Sequence, residues 1–309
     1  MQLSKALPAE LQCQIIEEFK DNKVALTAFT LVSPSWRQQA QACLLSTVFV
    51  STSRPGRDLK AFIAFLEARP RLASYITTLF IIPLRIKKPI SRTLTHDEIK
   101  PTDMSELSTV LSKLVCLSNL QLRWAHICPF AESDLVRTQL SSLKVLRLQK
   151  VIVDAKDGSW KALADLMGMF TSVDRLFLEG VHLDGKGNTP VDPAALARPV
   201  HRPSIKSLQY GTSLDRSADA LTRFVSMDNL LALNLRDRAY CSSALDQYQL
   251  CLDSASSITS LMLLTPFSTS NIILLTLNNR FKLRAELFQL AKGLRPTSYA
   301  SNRVPTWNI

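Results

Sequence analysis

Glycine is scarce in this chain, 8 in 309 residues, against an ordinary usage of about 7%. That shortage argues against the glycine-rich loops that cradle phosphates or dinucleotides, and no Walker loop, G-x-S-x-G or H-E-x-x-H occurs. The six cysteines (Cys13, Cys43, Cys116, Cys128, Cys241, Cys251) show no C-x-x-C and no regular framework, so reduced thiols in a cytosolic or nuclear protein are expected. Histidine is equally sparse: His96, His126, His182 and His201 are scattered, and adjacent residues such as His96-Asp97-Glu98 point apart. No metal-ligand set, cofactor or catalytic residue is expected, since ligands need recognisable converging spacing. A triad assembled from distant segments is the one enzymatic alternative. Long apolar runs are also missing. Ile258 to Leu277 is broken by Pro266, Ser268, Ser270 and Asn271, short of the roughly 20 continuous apolar residues of a membrane span. Met1 to Pro8 lacks the apolar run of a secretory leader, so none is expected.

What is present suits a globular protein of roughly two domains: 46% hydrophobic and 20% charged residues, ample for a sizeable core. The net charge is +11, with +3 in residues 1–75 and +8 beyond. Basic residues gather at the end, with Arg280, Lys282, Arg284, Lys292, Arg295 and Arg303 against one acid, Glu286. A basic surface favours acidic partners: acidic proteins, nucleic acid or anionic membrane. A solvated basic face with no specific partner is the plain alternative.

The first fifty residues read as three helices. Leu7-Pro8 is extended, then proline opens a helix to about Phe19. Leu11, Ile15, Ile16 and Phe19 fall on one apolar stripe. Asp21-Asn22 breaks and recaps the chain; Lys23 to Val32 forms the second helix; Ser33 caps and Pro34 opens a third, carrying Trp36, Ala40, Cys43 and Leu44. So small a unit cannot bury all these side chains alone. Leu7, Leu11, Ile15, Leu31 and Trp36 are expected to be shared, either with the rest of the chain or with a partner.

The order Leu7-Pro8-Ala9-Glu10-Leu11, then Ile15-Ile16, then Leu31-Val32-Ser33-Pro34-Ser35-Trp36-Arg37 resembles the F-box, in the form abundant among mushroom-type fungi. The family often has Cys where this chain has Ser33. The resemblance covers Leu7 to Phe49. It implies an adaptor-binding surface of Leu7, Pro8, Leu11, Ile15, Ile16, Leu26, Leu31, Val32 and Trp36, with a Skp-type adaptor and cullin as partners. A few such residues would each cost about 2 kcal/mol or more on truncation.

Beyond Phe49 one template recurs: apolar, two any, apolar, one any, apolar. It starts at Ile76, Leu117, Leu143 and Val173, with weaker copies at Ile205, Leu230 and Ile258. The steps are 41, 26, 30, 32, 25 and 28 residues, and the last five lie near the leucine-rich-repeat period of about 20–29. The long first step holds a Pro/Lys/Thr-rich insertion over 85–101, read as a surface loop. Helical faces alternate with these strands: Leu59/Phe62/Ile63/Leu66, Leu107/Val110/Leu111/Leu114, Leu163/Leu166/Met167/Phe170, Leu221/Phe224/Val225 and Leu245/Tyr248/Leu252. The copies resemble divergent leucine-rich repeats. The asparagine at the strand's end is replaced by Leu84, Ala125, Val151, Val181, Ser213, Arg238 and Pro266, which predicts an irregular stack. The competing architecture is an ordinary α/β domain of βαβ units.

The expected fold class is therefore α+β to α/β. A small three-helix F-box spans 1–50, an irregular leucine-rich-repeat-like α/β solenoid spans 51–280, and a basic C-terminal cap or tail spans 281–309, whose end is either a cap or a truncation. In such repeats the residues between buried ones face the concave side. A substrate patch is expected at Gln121, Arg123, Trp124, Arg147, Gln149, Arg175 and Phe177, with Asn119, Lys150, Glu179, Gln209, Asn234 and Arg236 on the same face. Arginine and aromatics suit an acidic or phosphorylated segment of a target protein; solvation, or pairing with Asp174 and Glu179, is the simpler account of the arginines. The function expected is a non-catalytic substrate-recognition subunit of an SCF-type ubiquitin ligase, cytoplasmic or nuclear. A non-degradative F-box scaffold, or a basic repeat protein binding an acidic partner or nucleic acid, is the alternative. Nucleic acid is the less favoured partner.

Overall fold

The computed structural model describes residues 7–52, 54–83, 101–130, 142–154, 161–184, 201–211, 223–236, 258–264 and 272–276. The chain is mixed α/β, with seven helices and a largely parallel sheet among these residues. It opens with α1 (Ala9–Glu18), α2 (Lys23–Phe29) and α3 (Pro34–Leu45). Asn22 caps α2 by accepting from the Ala25 N–H, and Ser33 caps α3 ahead of Pro34, the chemistry that helix starts favour. Helix α2 ends at Phe29, three residues earlier than the apolar pattern suggested. Leu31 and Val32 therefore lie in the turn before α3.

Strands β1 (Thr47–Ser51), β2 (Thr78–Ile82), β4 (Asn119–Arg123), β6 (Leu143–Gln149), β8 (Ser172–Glu179), β10 (Ser204–Gly211), β11 (Ala232–Arg236), β12 (Ser260–Leu264) and β13 (Ile272–Thr276) form one nine-stranded sheet in that order. Each of the seven template copies supplies one strand, β2 to β12. All neighbours pair in parallel except the last, β12 with β13. The sheet also begins earlier than the template does: β1 crosses the boundary drawn at residue 50, because Val48 to Val50 pairs in register with β2.

A second, four-stranded parallel sheet joins β3 (Pro101–Thr102), β5 (His126–Ile127), β7 (Ile152–Asp154) and β9 (His182–Asp184). It includes the apolar residues Ile127, Val153 and Leu183, which the sequence did not reveal as a sheet. Strand β3 also takes in Pro101, the last residue of the expected insertion; residues 84–100 lie outside the described residues. Helices α4 (Leu59–Ala68), α5 (Pro70–Ala73), α6 (Met104–Lys113) and α7 (Lys161–Gly168) accompany the strands. The apolar faces of α4, α6 and α7 bury with the strand leucines in one continuous core, including Leu66, Leu79, Ile81, Leu107, Leu120, Leu122, Leu146, Leu148, Leu166 and Leu176. Phe224 and Val225 join that core. The expected helix around Leu245 and the tail over 281–309 lie outside the described residues.

Two features join successive turns just past the strands. Ala125, Val151 and Val181 are buried apolar residues. The residue before each, Trp124, Lys150 and Gly180, has a left-handed backbone with φ of 52°, 52° and 61°. Each donates its N–H to the neighbouring turn: Trp124 to the Gln149 carbonyl, Lys150 to Glu179 and Gly180 to Gly211. A left-handed corner costs a non-glycine residue about 1–2 kcal/mol, which the inter-turn hydrogen bonds and apolar stack offset.

No helix among the described residues is long and apolar enough to cross a membrane. The cap of α6 yields a stability test. Burial alone would raise the Asp103 carboxyl, but hydrogen bonds from the Ser105 hydroxyl and the Glu106 and Ser105 N–H groups outweigh it and hold it below its ordinary 3.8. Asp103→Ala should lower stability by about 1 kcal/mol in urea denaturation at neutral pH. A depressed folded-state value gives stability that is present above 3.8 and lost as pH falls through the lower value. The gap between wild type and variant should therefore shrink in acid.

Candidate interaction surfaces

Two surfaces emerge, one on the three-helix unit and one on the open face of the long sheet. The three helices build their own small core from Ile16, Leu26 and Ala40, with Phe29, Trp36, Cys43 and Leu44 packed against it. Aromatic contacts brace it: Phe29 lies 5.6 Å from Phe19 and 5.1 Å from Trp36 between centroids. Burial pushes the Cys43 thiol pKa up.

The inward face of α1 is Gln12 and Ile16, not Leu11 and Ile15. Gln12 is tied down by donating from Nε2 to the Leu7 carbonyl at 2.6 Å. That corrects the single-stripe reading of α1. Leu11 and Ile15, spaced at four residues, form the helix's outward apolar line, and Leu7 precedes the helix. Leu7 and Leu11 are exposed, and Ile15 is half-buried. Leu31 is 79% exposed and Val32 61%. Two of the nine expected adaptor positions, Ile16 and Leu26, are each 1% exposed and belong to the interior. They support the surface from beneath because each falls on its helix's inward side. Pro8 is exposed and Trp36 half-buried at the rim. The expected adaptor positions did not include Phe19 and Val24, which are also exposed, Val24 at 81%. Leu7, Leu11 and Leu31, expected to pack on the rest of the chain or on a partner, are on the surface, whereas Trp36 packs on the unit's own core.

On the long sheet the buried leucines take one face and the intervening residues the other. Register sets them in rows. One row runs Phe49, Phe80, Gln121, Arg147, Phe177, Gln209 and Asn234, each the direct lateral partner of the next. Neighbours in such a row stand about 4.8 Å apart. Phe49 and Phe80 stack at 4.7 Å with rings 14° from parallel. The Arg147 guanidinium lies over the Phe177 ring at 4.4 Å. Arg175 sits in an adjoining row beside Val145 and Ser207, and Arg123 in the row of Gln149 and Glu179.

Asp174 pairs with Lys206 at 2.8 Å, and Glu179 accepts from Gln149 Nε2 at 3.1 Å. Neither acid is taken by the three arginines, and among the described residues Arg123, Arg147 and Arg175 form no ion pair. Trp124 stands apart from the row, at the left-handed corner with the Lys150 ammonium 4.3 Å over its ring. Gln149 is engaged with Glu179, so of the seven expected substrate residues Gln121, Arg123, Arg147, Arg175 and Phe177 are the better placed to meet a ligand. The sequence reading missed Phe49 and Phe80. Phe80 occupies the same template slot as Gln121, Arg147 and Phe177, so the first copy carried the signal. Arg236 and Asn234 sit on β11. His96-Asp97-Glu98, whose adjacent side chains were expected to point apart, lies outside the described residues.

No family model, curated protein or solved structure matches this chain. The two surfaces therefore stand on their own geometry. If Leu11 and Leu31 belong to a surface and Ile16 and Leu26 to a core, their truncations must differ. Ile16→Ala or Leu26→Ala should cost about 2–5 kcal/mol of the unit's stability. Leu11→Ala and Leu31→Ala should stay within about 0.5 kcal/mol by denaturant titration.

Proposed function

We propose that this chain is a substrate-recognition subunit of an SCF-type ubiquitin ligase. Its three-helix unit would act as an F-box and its repeats as a leucine-rich-repeat-like solenoid that holds the target. The observation that carries the reading is the outward apolar surface of Leu7, Leu11, Ile15, Leu31 and Val32 on a unit with its own separate core. A helical adaptor face covering these residues would bury the apolar area that the chain itself leaves in water. The letters Leu7-Pro8-Ala9-Glu10-Leu11 and Leu31-Val32-Ser33-Pro34-Ser35-Trp36 select a Skp-type adaptor as that occupant, with cullin reached through it. Such a subunit works in the cytoplasm or nucleus.

The target site in this reading is the open row around Arg147 and Phe177, flanked by Arg123 and Arg175. Arginine offers two-point grips to carboxylate or phosphate, and these three have no acidic partner among the described residues. The fitting ligand is an acidic or phosphorylated segment of a protein. Catalysis would be positional: the subunit raises the target's effective concentration beside the ubiquitin-carrying enzyme and performs no chemistry itself.

Affinity capture tests both halves. Leu11→Asp with Leu31→Asp should abolish retention of a Skp-type adaptor and cullin while the fold, read by circular dichroism, survives. Retention equal to wild type would defeat the F-box reading, and adaptor without cullin in the wild type would favour a non-degradative scaffold. Arg147→Ala with Arg175→Ala should lose the target yet keep the adaptor, because the two surfaces lie on separate cores.

A further inference from the structure

Strand β5 carries His126 and is followed at once by Cys128, two residues on and therefore on the same side of the strand. In parallel register His126 faces Ile152 and Ile127 faces Val153, so the next position on the neighbouring strand, Asp154, comes level with Cys128. A lateral pair in a sheet shares a side. The three side chains converge, and one ligand atom of each lies within 4.8 Å of the others. Separated by 26 residues, Cys128 and Asp154 show no ligand spacing in the sequence; strand register alone brings them together.

We propose that His126, Cys128 and Asp154 form a binding site for a divalent transition-metal ion of the zinc class. An imidazole nitrogen, a thiolate and a carboxylate oxygen are the donor types such ions take, and hard ions such as magnesium do not favour the sulfur. Ligand atoms around tetrahedral zinc stand about 3.3–3.8 Å apart, from bond lengths of about 2.0–2.3 Å, so a contraction by side-chain rotation closes the set.

The scaffold is firm on both sides. His126 is held in β5 between β3 and β7, and its Nε2 is shielded from solvent. The segment after Cys128 is anchored where the Phe130 N–H donates to the buried Asp165 carboxylate of α7 at 3.1 Å. Cys128 also lines a cavity of about 530 Å³ with Thr102, Asp103, Pro129 and Phe130. The cavity offers a path for the ion, and its water can fill the fourth position. The bound ion would cross-link two successive turns, β5 and β7.

Cobalt(II) reports the thiolate directly. Tag-free full-length protein titrated with Co²⁺ should develop a thiolate-to-cobalt charge-transfer band and intense visible bands at a single equivalent, and Zn²⁺ should displace it. Cys128→Ser should erase the charge-transfer band, and His126→Gln should weaken binding by roughly tenfold or more. Cys116→Ser, at an exposed cysteine, should change nothing. In the wild type, which avoids any folding defect of a variant, Zn²⁺ should slow alkylation of Cys128 and leave Cys116 unaffected. Absence of the band, its survival in both ligand variants, or equal Cys128 alkylation with and without zinc overturns the site.

Discussion

The structure depends on one constraint: the parallel strands pair so that equivalent template positions stand side by side. Leu120 pairs with Leu146, Leu146 with Leu176 and Leu176 with Leu208. A slip of one residue would turn every leucine of a strand outward and every arginine inward. Burial thus fixes the register, and the register in turn fixes the surface. Once the leucines are stacked, Gln121, Arg147 and Phe177 have no freedom to lie anywhere but in one open row. The surface rows are a by-product of the core rows, and the composition of the open row is the part of the sequence that the core leaves free.

The three-helix unit follows the opposite logic. Its buried core holds Ile16, Leu26 and Ala40, with aromatic bracing from Phe29 and Trp36, a small reserve for helices of ten, seven and twelve residues. A unit of that size gains stability from any partner that covers Leu11, Leu31 and Val32, because binding to the folded form shifts the folding equilibrium. Packing these residues on the sheet domain would have served the same end. The chain instead keeps them in water, which makes the exposed stripe a feature to explain by association rather than by folding.

Much of this was legible in the sequence, and the reasons for the rest are physical. The spacing of Leu117, Leu120 and Leu122, present in seven copies, announced the strands, since the pattern reports burial and burial is what folds them. The alternation between strand and helix patterns likewise placed α4, α6 and α7. What failed was the choice between faces within α1. Leu11, Ile15, Ile16 and Phe19 are all apolar, and a polar residue, Gln12, took the inward position by hydrogen-bonding the Leu7 carbonyl. Hydrophobicity alone cannot rank two apolar lines on one helix when one of them faces a polar anchor. The short second sheet was hidden for a different reason. Two- and three-residue strands carry no period, and their pairing is dictated by the turn before them.

Those turns link the fold to its chemistry. Each corner must be joined to the next, and a left-handed residue does so through its own N–H at Trp124, Lys150 and Gly180. The side chains at such corners are then freed from the structural task. Trp124 and Lys150 use that freedom to stack on each other across turns. Just past the corners, the short strands bring the polar groups of His126 and Asp154 to one side of the second sheet. Polar side chains at the half-buried end of a sheet are costly unless they meet partners of their own kind. The tie between turns is therefore made by the backbone rather than by side chains. It thereby opens the adjoining positions to residues capable of binding.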